Sequence, residues 1–404
     1  MSHVLVLSAH ETQLDRRIVS EANALAQSGR EVTLVSVPTR METSGLDSRV
    51  RMVVEQEDTF ESTSPARSVA RHLPEFLKGI AKSLWYLFGS GPAPYNTAYF
   101  LRHTPAERFD AIHCHDLKTL PAGVGIRRRQ CPGAKLIYDA HEFFPFQTSN
   151  RCFQHYWKRI ERQVIVETNL TITVNESIAE AMAQLYGIAR PGVLYNSCER
   201  IPGEQDLSEE EFLAHFGAPP SSARSVLFQG SLSTDRNLRA LVRAFAKLEG
   251  RARLFLLGEG VRDEELRRIC AQERIRNVFF GPWVAQERLL GFVRRADLGV
   301  IPYLGHVFLN SLYCTPNKLF EFIEAGVPIC ASDLPELRRI VRGHGIGDVY
   351  AMDSPRLISE ALSDCLSRLE MGEFSAKTLA AAREKFSWRR QAENMLRWYE
   401  QLGV

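Results

Sequence analysis

The chain has 404 residues, 45% of them hydrophobic and 24% charged, with a formal net charge of +2. That length suits two domains of roughly 150–200 residues each, and the composition is that of a folded globular protein, not a disordered one. So small a net charge argues against a dedicated nucleic-acid binder, and no nucleic-acid partner is expected.

The opening "HVLVLS" predicts a strand and turns polar too quickly for a signal peptide. "DRRIVSEANALAQSG" has the spacing of an amphipathic helix ending at Gly29, and "EVTLVSV" predicts the next strand. The stretch from Arg67 to Arg102 breaks this rhythm, being basic, aromatic and amphipathic. It reads either as an inserted helix on the first domain or as a membrane-surface helix. In the second case Arg71, Lys78 and Lys82 meet anionic lipid while Leu84, Trp85 and Phe88 dip in. Further strands are predicted at "AIHCH", "KLIYDA", "LTITV" and "GVLYN". Asn196 to Ser225, rich in Pro, Ser, Gly and charge, predicts the linker and entry to a second domain. A second strand series then runs through "SVLFQGSL", "RLFLLGEG", "VFFGPW", "DLGVIPY" and "PICASD".

Strands alternating with helices predict α/β architecture, two doubly wound Rossmann-like domains in tandem, with ligands outside the carboxyl ends of the strands and in a cleft between domains. Eight cysteines without a CxxC pair suit neither zinc nor a disulfide framework, and free thiols in a cytoplasmic protein follow. No apolar run approaches the ~20 residues of a transmembrane helix.

The second half carries features that suit a nucleoside diphosphate. "FQGSLSTDRNL" ends a strand at Gly230, continues through Ser231, and sets Arg236 before a helix, so backbone amides and a guanidinium can meet phosphate. Gly258 and Glu259 of "LGEG" end another strand where small residues let a flat base approach the backbone. Trp283 and Val284 follow a third; Trp283 reads equally as a base platform or a core aromatic. In "LYCTPNKLFEFIEAGVP", Thr315, Pro316, Asn317 and Lys318 open a helix, with Pro316 in its first turn, so amides and helix dipole converge on one spot. Glu321, one turn inside, can accept two hydrogen bonds from a ribose diol; Glu324 reads as a solvated surface group.

In the first half, "AIHCHDLKTLP" presents His113, His115 and Asp116 at a strand end, and "IYDAHEFFPFQ" presents Asp139, His141 and Glu142. Such residues can hold metal, but no helical His-x3-His and no third ligand cluster accompany them. Holding a sugar hydroxyl is the better use, and neither metal nor cofactor is expected.

Taken in order, these motifs resemble the retaining nucleotide-sugar glycosyltransferases of the GT-B fold, glycosyltransferase family 4-like, group 1. The resemblance rests on "DRRIVSEANALAQSGREV", "HCHDLKTLPAG", "IYDAHE", "TVNESIAEAM", "GSLSTDRNL", "LGEG", "ADLGVIPY" and above all "PNKLFEFIEAGVPICASD". It implies an acceptor-binding domain over 1–195, a nucleotide-sugar domain over 196–382, and a C-terminal helix over 383–404 that crosses back onto the first. It implies that Glu321 binds the donor ribose, that Thr315, Asn317 and Lys318 line the diphosphate turn, and that Arg236 clamps phosphate. His141 would meet the transferring sugar, with Asp15, Arg16, His115, Asp116, Asp139 and Glu142 on the acceptor side; His141, Arg236 and Lys318 would carry catalysis. Tyr313 stands where the family's first motif glutamate belongs. A glycan or lipid-linked acceptor and peripheral contact with an anionic membrane are further implications. The alternatives are an epimerase or phosphorylase of the same fold, and a degenerate member that binds a nucleotide sugar or a partner without turnover. A dinucleotide oxidoreductase lacks its GxGxxG.

Overall fold

The computed structural model describes residues 1–9, 15–37, 45–54, 83, 86, 93–200 and 206–404. Two compact units emerge, one of Met1–Leu194 with Ala392–Val404, the other of Tyr195–Gln391.

The first unit is built on β1 (His3–Ser8), α1 (Arg16–Gln27), β2 (Glu31–Ser36), β3 (Val50–Val54), α2 (Ala93–His103), β4 (Ala111–His115), α3 (Leu120–Arg129), β5 (Lys135–Ala140), α4 (Arg151–Val164), β6 (Leu170–Thr173), α5 (Glu176–Tyr186) and β7 (Gly192–Val193). Its sheet has the order β3-β2-β1-β4-β5-β6-β7, with every pair parallel. The central strands are buried on both faces, which is why they read as continuous apolar runs. Local chemistry starts and stops the helices. The Asp15 carboxylate accepts the Arg17 N–H at 2.8 Å to open α1. Asn175 caps α5, and Gly187, at φ 66°, ends it in the left-handed conformation.

The second unit contains α6 (Glu209–Phe216), β8 (Arg224–Gln229), α7 (Leu238–Ala244), β9 (Ala252–Leu257), α8 (Asp263–Gln272), β10 (Val278–Gly281), α9 (Gln286–Val293), β11 (Leu298–Ile301), α10 (Asn317–Ala325), β12 (Ile329–Ser332), β13 (Gly347–Tyr350), α11 (Pro355–Glu370) and α12 (Ala376–Lys385). Its parallel sheet runs β10-β9-β8-β11-β12-β13 around one apolar core. The last helix, α13 (Trp388–Leu402), begins in this unit and belongs to the first from Ala392 onward.

Several expectations shift. β3 and β13 escape sequence reading because each is a short edge strand, β3 largely exposed beyond Val50 and β13 alternating between buried and half-buried. "GVLYN" yields only the two paired residues of β7. Inside the expected linker stands α6, opened by a reciprocal capping box between Ser208 and Glu211. Arg71, Lys78, Lys82, Leu84, Trp85 and Phe88 lie outside the described residues. Among the described residues, no helix is long and apolar enough to cross a membrane.

Candidate functional site

In a doubly wound sheet, ligands sit outside the carboxyl ends of the strands where the strand order reverses. In the second unit that point lies between β8 and β11. β8 ends at Gln229, whose side-chain amide donates to the buried Glu321 carboxylate at 3.3 Å. Gly230 follows at φ 123°, and a Cβ built there would stand 3.1 Å from Lys318 Nζ. Lys318 is only 5% exposed, and its ammonium lies 3.5 Å from the Phe228 ring centroid. Tyr303, just past β11, is shared: Lys318 Nζ stands 5.0 Å from its ring and the Arg236 guanidinium 4.2 Å. Two cations thus meet one aromatic ring at the switch point, which holds them close together by cation–π attraction.

α10 delivers both Lys318 and Glu321 from its first turns. Pro316 precedes that helix instead of entering it, and its carbonyl accepts the Leu319 N–H at 2.9 Å. Pro316, the N-cap residue, offers the helix no side-chain hydrogen bond, and the positive end of the helix dipole at this point favours an anion. Thr315 is buried, Asn317 exposed, and Asn317 Oδ1 accepts from the Asn196 amide at 3.2 Å. Tyr313 is half-buried ahead of them.

Gly258 and Gly260 are required by the packing of the neighbouring loop. A Cβ at Gly258 would stand 2.3 Å from the Gly230 oxygen, and one at Gly260 2.6 Å from the Leu232 oxygen. The close approach they permit is to the loop after β8, which Glu259 also ties down by accepting the Leu232 N–H at 3.0 Å. Ser231 and Glu259 are exposed at this edge. Trp283 is 49% exposed, so the core reading does not hold for it. With Val284 it follows β10, two strands away from β8.

In the first unit the switch point falls between β1 and β4, and a buried polar cluster lies at its edge. Arg17 donates to both oxygens of Asp139 at 2.7 Å and to the Leu194 carbonyl at 2.5 Å. Its Nε is also 2.9 Å from Glu21, one helical turn on. Asp139 Oδ2 faces His115 Nδ1 at 3.3 Å and His141 Nε2 at 3.2 Å. Asp116, at φ 65°, sends its N–H to the Asp139 carbonyl and accepts the His141 backbone N–H at 3.3 Å. His113 stacks on His115 with centroids 4.5 Å apart and meets the Tyr399 hydroxyl of α13 at 2.6 Å.

The charges follow from this geometry. Burial disfavours an ionised Asp139, but Arg17 and then His141 hold it well below the usual carboxylate range. Burial and the Asp139 charge push Glu21 well above that range, against the opposing pull of Arg17. Burial, reinforced by a neighbouring imidazole in each case, keeps His113 neutral and lowers His115 to about 4.

The sequence-predicted residues therefore separate. His115, Asp116, Asp139 and His141 come together, but Asp139 is wholly enclosed and cannot touch an acceptor directly. Asp15 serves as a helix cap, Arg16 is half-buried on the first turn of α1, and Glu142 is exposed. A third ligand-type group does join the histidines, contrary to the sequence reading: atoms of Glu21, His113, His115 and Asp139 all lie within 4.8 Å of one another. Arg17 takes both Asp139 oxygens and already brings the positive charge that a cation would supply. Arg17, Glu21, Gln229 and Tyr303 were missed. A signal existed for the first two, charged residues four apart on the stripe that also holds Ile18, Ala22 and Leu25.

Residues 14–198 match the model of Glycosyltransferase Family 4, and residues 223–368 match that of Glycosyl transferases group 1. An uncharacterized glycosyltransferase of Methanocaldococcus jannaschii is 24% identical over 312 residues, 73% of this chain and 76% of that protein. The phosphatidyl-myo-inositol mannosyltransferase of Mycobacterium tuberculosis is 28% identical over 216 residues, which span 50% of this chain and only 53% of that relative. Among solved structures, Anabaena HepE in complex with UDP and glucose superposes with a TM-score of 0.71 at 15% identity, covering 99% of this chain and 100% of that one. The two Rossmann-like units are those of the GT-B fold, and the chain belongs to the group 1 glycosyltransferases.

Proposed function

We propose that this glycosyltransferase moves a sugar from a nucleoside-diphosphate donor to a hydroxyl acceptor, retaining the anomeric configuration and using no metal ion. The observation that carries the reading is the switch point of the second unit, where Lys318 Nζ faces Gly230 and the buried Glu321 is held by Gln229. A buried ammonium at a helix N-terminus suits a diphosphate; a buried carboxylate one turn further on suits the ribose diol. HepE, whose structure contains UDP, shares the fold.

In this mechanism Arg236, Lys318 and the α10 amides stabilise charge growing on the departing diphosphate. A phosphate oxygen takes the proton from the acceptor hydroxyl, which attacks from the same face, and no protein nucleophile is needed. Thr315 and Asn317 line the diphosphate; Trp283 and Val284 flank the base. His141, with Asp116 and Glu142 near it, serves the sugar and the acceptor. A lipid-linked glycan at the cytoplasmic membrane face is the acceptor we favour, supported by the mannosyltransferase relative named for a phosphatidyl-inositol substrate.

The test is thermal stability against UDP-, GDP-, ADP- and CDP-sugars with and without Mg²⁺, followed by transfer from the stabilising donor. A ligand that binds only the folded state raises the melting temperature. One nucleotide that stabilises without metal, and a product with the donor's anomeric configuration, uphold the reading. No shift with any donor overturns it.

A further inference from the structure

Two imidazoles, those of His115 and His141, compete for one carboxylate. His115 Nδ1 and His141 Nε2 are 2.9 Å apart, and both face Asp139 Oδ2. Two positive rings at that distance would repel, so at most one carries a second proton. The groups around them decide which. His115 is fully enclosed, stacked against the neutral His113, and has the cationic Arg17 with its partner Glu21 across from it on α1. His141 has a second carboxylate, Asp116, whose Oδ2 is 3.7 Å from Nδ1 on the ring's other side.

Asp116 is held in place for this. It occupies the left-handed backbone region at φ 65°, unusual for a residue other than glycine. Its N–H is fixed by the Asp139 carbonyl at 2.9 Å, and its carboxylate by the His141 backbone amide. Asp139 in turn is oriented by the two-pronged grip of Arg17.

We infer that Asp139 is a positioning residue which, with Asp116, keeps His141 doubly protonated, so that this histidine acts as a fixed cation and never as the general base. The inference rests on the proposed transfer reaction and deepens it. A general base has to lose its proton near the working pH, whereas a ring clamped between two carboxylates keeps it. Although burial opposes a charged ring, Asp116 and Asp139 together push His141 up to about 10. Proton removal from the acceptor then falls to the departing diphosphate, and His141 contributes oriented N–H groups and positive charge.

The experiment is a ¹⁵N-histidine NMR titration of the full chain, with His141→Gln removing and so assigning one ring signal. The expected result is a His141 ring with both nitrogens protonated throughout pH 6–8. Asp116→Asn, which keeps the side chain's shape and suits the left-handed backbone there, should lower its midpoint by a unit or more, and Asp139→Asn further still. In the pH profile of kcat/KM, the wild type should show no limb from His141 between pH 6 and 8, and any His141 limb in Asp116→Asn or Asp139→Asn should fall at the lowered midpoint that the titration measures. A wild-type His141 that titrates between pH 6 and 7, or an Asp116→Asn variant whose titration is unmoved, overturns the inference. The titration needs no turnover, so a protein that transfers no sugar would sink the proposed reaction while leaving the charge state of His141 measured.

Discussion

Gly258 lies so close to Gly230 that a Cβ on the former would stand 2.3 Å from the carbonyl oxygen of the latter. That oxygen is backbone and cannot swing away. Gly258 also sits at φ 143°, where side-chain-bearing residues rarely go. Gly258→Ala should therefore destabilise by about 1–3 kcal/mol from conformation alone, with overpacking adding a similar amount. Denaturant unfolding measures this. Gly133→Ala, which meets nothing within 4 Å, is the control and should stay within ~0.5 kcal/mol of wild type. Equal stability of the two variants would mean that the β8 and β9 loops are not packed as described.

Glu321 tests the donor reading. Its burial against Gln229 leaves a carboxylate inside the switch point whose proposed partner is the ribose. A hydrogen bond to a charged group contributes ~1.5–3 kcal/mol, so Glu321→Gln should weaken nucleoside-diphosphate binding roughly 10- to 100-fold. Calorimetric titration with the stabilising nucleotide gives the number. Unchanged affinity removes Glu321 from the donor site.

Lys318 separates binding from stability. Its ammonium stands over the Phe228 ring in nearly complete burial, a position that Lys318→Met would fill with similar volume and no charge to desolvate. We expect the melting temperature to hold or rise, affinity for the diphosphate to fall at least tenfold, and its dependence on salt to lessen. A variant that loses stability but keeps affinity would make Lys318 a structural residue.

How far the chain could be read without coordinates depends on distance along it. Lys318 and Glu321 could be read from "PNKLFEFIEAGVP" because helix start, charge and apolar face lie within one turn or two of each other. The central strands were equally plain, since burial on both faces leaves an unbroken apolar run. The cluster around His141 is different in kind. Arg17 reaches Asp139 across 122 residues and His113 reaches Tyr399 across 286, so no local pattern reports either contact. Asp139 looked like an acceptor ligand because it stands beside His141 in sequence. Only the fold, which sets β4 beside β5 and brings the Arg17 side chain to Asp139, shows it enclosed. Edge strands β3 and β13 failed for a simpler reason: four or five partly exposed residues carry too short a pattern to tell from a loop.

A last prediction concerns pH and comes from a carboxyl that the proposed chemistry does not use. Glu161, on α4, is buried and accepts hydrogen bonds from Tyr138 on β5 at 2.8 Å and from Tyr186 on α5 at 2.5 Å. Burial pushes it from 4.5 up to about 7, against the opposing pull of the two phenols. The folded state thus holds this proton more tightly than the unfolded chain does. Its contribution to stability is complete below pH 4.5 and is lost as the pH rises through about 7. The loss amounts to at most ~3 kcal/mol. His115, lowered to about 4, has the opposite sign: its contribution is present above 6.5 and is lost as the pH falls. The wild-type profile therefore mixes the two, and Glu161→Gln, which cannot ionise, isolates the first. Denaturant melts at pH 5 and pH 8 should show the variant gaining on wild type at the higher pH by up to that amount. The same difference at both pH values would mean that Glu161 is ionised throughout and that the two phenols outweigh its burial.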